Sequence, residues 1–204
     1  MYFKESVMRY LGSKCKRCRA VGVSICGRVK CAIIRKPNPP GQHGATRKKR
    51  SEYALQLAEK QKIRWSYDVS EKQFYNVFVE ATATKGVTGT VLLQILESRL
   101  DNIVFRANFA GSRAHARQII SHGHILLDGK KCTIPSVRIK PGQKISFKEG
   151  SRSFVKEAHK AMVVVPEWIK ADENNLTVEV IMPPVREQLD QAFNEQLVIE
   201  YYSR

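Results

Sequence analysis

The chain has 204 residues, 43% of them hydrophobic, enough to bury a sizeable core in one or two domains. Its 35 Lys and Arg stand against 19 Asp and Glu, a formal charge of +16 with a pI near 9.8, which points to a polyanionic partner. No apolar run approaches membrane-spanning length and no signal-peptide pattern opens the chain, so no membrane partner is expected and the predicted location is cytoplasmic. The charge is uneven. Residues 1–50 hold 14 basic residues and one acid, 51–96 five of each, 97–150 ten against four, and 151–204 six against nine. A polyanion should therefore lie against the first and third stretches, and the mildly acidic last stretch suits contact with another, basic protein.

Cys15 and Cys18, then Cys26 and Cys31, form two close pairs among Lys14, Lys16, Arg17, Arg19, Arg28 and Lys30. In a cytosolic chain this pattern suits tetrahedral thiolate coordination of a structural zinc ion, with an iron–sulfur cluster as the alternative. All four positions would be filled by protein, leaving none for a substrate. A segment this short and basic cannot build its own core, so the metal would supply its fold. Exchanging Cys15 and Cys18 for Ser should loosen the segment and leave the rest folded. Cys132 stands far away and is expected to be simply buried.

From Arg35 to Arg50 the sequence reads RKPNPPGQHGATRKKR, whose prolines and glycines predict an extended arm, with Arg47, Lys48, Lys49 and Arg50 as a run suited to phosphates. A helix capped by Ser51 follows to Tyr67, with Tyr53, Leu57 and Ala58 inward and Lys60, Lys62 and Arg64 outward. Ser70 opens the next, which buries Phe74, Val77, Phe78 and Ala81. Gly86 to Gly89 break it, and a long helix starting at Val91 carries its apolar stripe through Leu100, Ile103 and Val104.

Ser112 caps a further helix, with Ala116, Ile119 and Ile120 inward, Arg113 and Arg117 four apart on the basic side, and His115 and Gln118 nearby. His122-Gly123 stops it. A strand from His124 to Leu127, the turn Asp128-Gly129 and a return strand from Lys130 complete two short helices packed on a hairpin. Arg99, Arg113, Arg117, Lys130, Lys131 and Arg138 are expected along its exposed edge, placed for a phosphate backbone. Beyond it, Lys144–Phe147, Trp168-Ile169 and Leu176–Ile181 predict strands and 153–162 a short helix.

The run SRLDNIVFRANFAGSRAHARQIISHGHILLDGKK resembles the RNA-binding domain named after small-subunit ribosomal protein four. The stretches PPGQHG, YALQLAEKQKIRWSYDVSEKQF, GVTGTVLLQILESRLDNIVFR and the last residues NEQLVIEYYSR resemble the same family in its bacterial, Cys-rich zinc-binding form, from about residue 8 onward. The resemblance implies an α+β fold: a helical domain with an N-terminal metal knuckle, plus an inserted RNA-binding domain of two helices packed on a small antiparallel sheet. Its expected limits are 1–50 for knuckle and arm, 51–96 completed by 187–204 for the helical domain, and 97–186 for the RNA-binding domain, with the motif at 97–150.

The function so implied is a structural constituent of the small ribosomal subunit, a primary binder of small-subunit (16S-type) ribosomal RNA that nucleates assembly of the subunit body. The same resemblance implies contact with neighbouring ribosomal protein five, a place near the point where messenger RNA enters, and an influence on translational accuracy. RNA contacts are expected from Arg35, His43, Arg47, Lys48, Lys49, Arg50, Lys60, Lys62, Arg64, Arg99, Arg113, His115, Arg117, Gln118, His122, Lys130, Lys131 and Arg138. The alternative is an RNA-modifying enzyme or other non-ribosomal RNA binder carrying the same module, and a DNA-binding metal-knuckle regulator is a further rival. No GxGxxG, P-loop or Ser–His–Asp constellation stands in the sequence, so neither an enzyme nor a small-molecule substrate is expected. Replacing Arg113 and Arg117 by glutamate should weaken RNA binding severely with little loss of stability.

Overall fold

The computed structural model describes residues 10, 12–26, 30–46, 49–153, 155, 164–190 and 192–203. The chain is α+β and divides into two units, Met1–Gly89 with Ala192–Arg204, and Thr90–Gln191. In the first unit, α1 (Lys14–Val21) stops at Gly22, whose φ of +79° lets its N–H return to the Cys18 carbonyl at 2.9 Å. A short α2 (Ala32–Arg35) precedes the irregular arm. The Ser51 hydroxyl accepts from the Ala54 N–H to start α3 (Glu52–Ser66), and Ser70 with Gln73 closes a capping box on α4 (Glu71–Ala83). Phe74, Val77, Phe78 and Ala81 are buried, as their spacing predicts.

The orientation of α3 differs from expectation. Tyr53 is 49% exposed, whereas Lys60 is only 4% exposed and Lys62 is buried as well. The cause is the C-terminal helix, Glu195–Tyr202, which packs along α3 on the side the sequence pattern leaves to solvent. Lys60 Nζ lies 4.5 Å from the Tyr201 ring centroid and pairs with Glu71 at 2.5 Å; Arg64 reaches Glu71 at 3.1 Å; Lys62 pairs with Glu59 and donates to the Ala192 carbonyl at 3.2 Å. Tyr202 stacks 4.6 Å from Phe78 and donates its hydroxyl to Glu71 at 3.1 Å. These three cations are thus engaged within the fold instead of standing outward.

Gly89, expected as part of a break, lies within α5 (Thr88–Glu97). A Cβ there would overlap Glu195 Cγ and come 2.9 Å from Glu195 Cβ, so only glycine lets the C-terminal helix approach. Gly89→Val should destabilise by about 1–3 kcal/mol, read as a fall in the midpoint of thermal unfolding.

In the second unit the long helix expected from Val91 is broken. α5 ends at Glu97 and α6 (Leu100–Arg106) starts after Arg99, whose backbone is extended (φ −67°, ψ 139°) and bridges to Arg138. The N–H groups of Leu100 and Asp101 donate to the Val137 and Pro135 carbonyls at 2.8 and 3.1 Å. A segment far downstream thus captures the backbone that helical periodicity would have kept. Next come α7 (Arg113–Ser121), β1 (Ile125–Leu127), β2 (Lys130–Cys132), β3 (Lys144–Phe147), β4 (Ile169–Asp172) and β5 (Thr177–Val180).

The five strands form one antiparallel sheet in the order β2-β1-β3-β5-β4. Asp128 and Gly129, at φ +48° and +79°, make the tight turn of the first hairpin. Leu100, Ile103, Val104, Ile119 and Ile120 share one core with Ile125, Ile145, Phe147, Val178 and Trp168, and Phe109 meets Phe147 edge to face at 5.3 Å. Cys132, expected to be buried, is only half-buried because its strand is the sheet edge. The helix expected at 153–162 falls for the most part outside the described residues. Among the described residues, no helix is long and apolar enough to cross a membrane.

Candidate nucleic-acid interface and metal centre

α1 carries Cys15 and Cys18 towards the segment that holds Cys26 and Cys31. The Cys15, Cys26 and Cys31 sulfurs all lie within 4.8 Å of one another. Cys18, fully buried, packs in the same cluster with Cys26 and Cys31, ringed by Ile25 and Ile33. The Cys18 thiol is pushed up to about 12 by burial, with the Cys26 and Cys31 sulfurs adding to the rise. Burial acts in the same sense on Cys31, but the Ile33 N–H, the Ser24 hydroxyl and the Cys26 and Cys18 thiols outweigh it and bring Cys31 down to about 7. A cluster of thiols with few apolar neighbours is a donor set that could bind a metal ion, with Cys15, Cys26 and Cys31 as the three mutually close sulfurs and Cys18 packed beside them.

Around the cluster the helix is anchored by charge and stacking. Lys14 and Arg17 reach Asp68 at 3.5 and 3.8 Å, and the Arg17 guanidinium lies 3.6 Å from the Tyr10 ring centroid and 5.2 Å from that of Trp65. Arg19 turns the other way and donates to the Asn38 and Pro39 carbonyls at 2.9 and 3.3 Å, fixing the start of the arm. Arg35, His43, Lys49 and Arg50 are placed along it, with Arg35, His43, Lys49 and Arg50 all at the surface. Arg47 and Lys48 lie outside the described residues.

The α6–α7 face is built on two buried carboxylates. Asp101 accepts from Arg99 Nε and Nη2 at 3.1 and 2.8 Å, and from Arg117 Nη2 at 3.0 Å. Glu97 accepts from Arg106 at 2.7 and 3.2 Å and from the Asn102 amide, whose oxygen in turn takes Arg113 Nε at 2.7 Å. Arg113 also stacks 4.7 Å from the Phe105 ring centroid. Arg99, expected on the exposed edge, is only 5% exposed: its extended backbone turns the side chain inward to Asp101. Arg113, His115 and Arg117 are half-buried, and Gln118, His122, Lys130, Lys131 and Arg138 are exposed. Burial lowers the pKa of His115 from the usual histidine value, because desolvation disfavours the charged ring. Asp101, Asn102 and Glu97, which organise this face, were absent from the expected set. The signal was the polar pair Asp101-Asn102 set inside an otherwise apolar helical stripe.

The family profile described as "Ribosomal protein S4/S9 N-terminal domain" matches residues 9–97, and "S4 domain" matches 98–145. The chain is 47% identical over 204 residues to "Small ribosomal subunit protein uS4" of Gloeobacter violaceus, covering 96% of this chain and 99% of that protein. Proteins of the same name from Rubrobacter xylanophilus and Thermus thermophilus are 46% and 47% identical, with the same shares covered.

Proposed function

The chain belongs to the ribosomal protein S4 family, and we propose that it is accordingly a primary binder of small-subunit (16S-type) ribosomal RNA that nucleates assembly of the subunit body. It is a structural, RNA-binding constituent of the small ribosomal subunit, located with the ribosome in the cytoplasm, and it is not an enzyme. The observation that carries the reading is identity near 47% across both family domains, not the S4 domain alone. A modifying enzyme that borrows the RNA-binding module would match only over that module.

The two basic regions are the proposed contacts. The first unit offers the arm residues Arg35, His43, Lys49 and Arg50; the second offers Arg113, His115, Arg117, Gln118, His122, Lys130, Lys131 and Arg138. Their chemistry suits phosphate and sugar contacts that read the shape of folded RNA. The domain reading that accompanies this takes 1–50 as knuckle and arm, 51–96 with 187–204 as scaffold, and 97–186 as the RNA-binding domain. Zinc is the proposed occupant of the cysteine cluster: the sulfurs stand close enough for one central ion, whereas an iron–sulfur cluster needs thiolates spread around a cage. Contact with neighbouring ribosomal protein five, a place near where messenger RNA enters, and an effect on translational accuracy complete the proposal. The acidic balance of residues 151–204 supports a basic protein partner.

The test is binding to the five-prime domain of small-subunit ribosomal RNA, titrated against salt and against an unrelated structured RNA. Tight, selective binding that survives excess competitor is expected, with affinity falling steeply as salt rises. Equal binding to both RNAs would reduce the protein to a generic basic RNA binder.

A further inference from the structure

We propose that Asp101 is a positioning residue for RNA recognition, holding the Arg117 guanidinium on the α7 face in the orientation that a phosphate meets. This rests on the reading of that face as RNA-binding. Asp101 is 3% exposed, and one of its oxygens, Oδ2, accepts from both Arg99 and Arg117. Arg99 is fixed from behind by its backbone bridge to Arg138, so the carboxylate has a rigid backing. Of the two guanidiniums, that of Arg117 is the one at the surface, its side chain 19% exposed against 6% for Arg99. A guanidinium presents five N–H groups in a rigid fork, so one edge can be held by a carboxylate while another faces an anion.

The surrounding charge points the same way. Two carboxylates, Glu97 and Asp101, pair with three guanidiniums, those of Arg99, Arg106 and Arg117, and a fourth, that of Arg113, stands beside them. Arg113 reaches this network through the amide oxygen of Asn102, which accepts from its Nε at 2.7 Å. Positive charge in excess and partly desolvated is stabilised by an incoming anion. By Coulomb's law alone, an acid at such a face weakens binding of a polyanion. Its gain is preorganisation, since an arginine already held in one geometry loses less side-chain entropy when RNA binds. The two effects predict opposite outcomes for removing the charge.

The experiment uses the full chain carrying Asp101→Asn, titrated with the five-prime domain of small-subunit ribosomal RNA over a range of salt. Lost positioning should weaken binding about tenfold. It should also lower the slope of log affinity against log salt by about 0.7 to 0.9, the share of one phosphate contact. A purely structural role would lower the unfolding temperature and leave that slope unchanged. In an Arg117→Gln background, Asp101→Asn should cause no further loss. Should Asp101→Asn fail to fold by circular dichroism, Arg117→Lys keeps the charge without the fork, and the same tenfold loss is expected. Unchanged or tighter binding, an unchanged slope, or an equal loss with and without Arg117 overturns the proposal. Wild-type protein is measured in the same series against an unrelated structured RNA. If it shows no selectivity, the RNA reading fails and the proposal falls with it; selective wild type with an insensitive Asp101→Asn refutes the positioning role alone.

Discussion

The double substitution Arg113→Glu, Arg117→Glu should reduce affinity for small-subunit ribosomal RNA by about a hundredfold to ten-thousandfold, as the two proposed charge-assisted phosphate contacts become repulsive. The sequence pattern alone predicts that this double substitution is nearly neutral for stability, and the fold revises that. Arg117 Nη2 sits 3.0 Å from Asp101 Oδ2, so Arg117→Glu would set a second carboxylate against a buried one. Arg113→Glu would leave the Asn102 amide oxygen without the guanidinium now 2.7 Å away and would remove the stack on Phe105. Arg99 still neutralises Asp101 and Arg117 is partly exposed, so the expected loss is about 1–3 kcal/mol rather than the full penalty of an unpaired buried charge. Thermal unfolding beside the binding titration separates the two effects. Replacement of both arginines by glutamine should keep most of the stability and still lose much of the affinity. Affinity that does not change at moderate salt would mean that phosphates are met elsewhere on the protein.

With zinc as the proposed occupant of the cysteine cluster, its removal by a chelator, or the Cys15→Ser, Cys18→Ser pair, should unfold the segment from α1 to α2 while α3, α4 and the five-stranded sheet stay intact. The core of that segment is Cys18, Cys26 and Cys31 with Cys15, Ile25 and Ile33 against them, too little apolar surface to hold it. An eight-residue helix such as α1 is not stable alone. The Lys14 and Arg17 contacts with Asp68 add about 0–1 kcal/mol each, well below the ~10–16 kcal/mol of a structural zinc site. Hydrogen exchange should show α1 amides losing protection with those of α3 and α4 unchanged, and RNA affinity should fall because Arg19 no longer fixes the arm at Asn38 and Pro39. Cooperative loss of the whole circular-dichroism signal on chelation would contradict this, as would a chelator without any effect.

Features that depend on near neighbours in the chain were legible before any coordinates. Caps at Ser51, Ser70 and Ser112, the stripe from Phe74 to Ala81 and the Asp128-Gly129 turn all follow from spacings of about four residues or fewer, where backbone geometry leaves little choice. The two basic regions, the cysteine pairs and the family resemblance were legible for the same reason, being contiguous in the chain. Which charges face water was settled by tertiary contacts. Lys60, Lys62 and Arg64 read as outward on α3, but the C-terminal helix and the residues just before it, far along the chain, cover Lys60 with Tyr201 and hold Lys62 at Ala192, while Arg64 shares Glu71 with Tyr202. Arg99 read as an exposed cation in a continuous helix until the Pro135–Ile139 segment took its neighbours' N–H groups and turned its side chain to Asp101. A cation's place is set by the partner nearest in space, and helical periodicity carries no record of a partner so far along the chain.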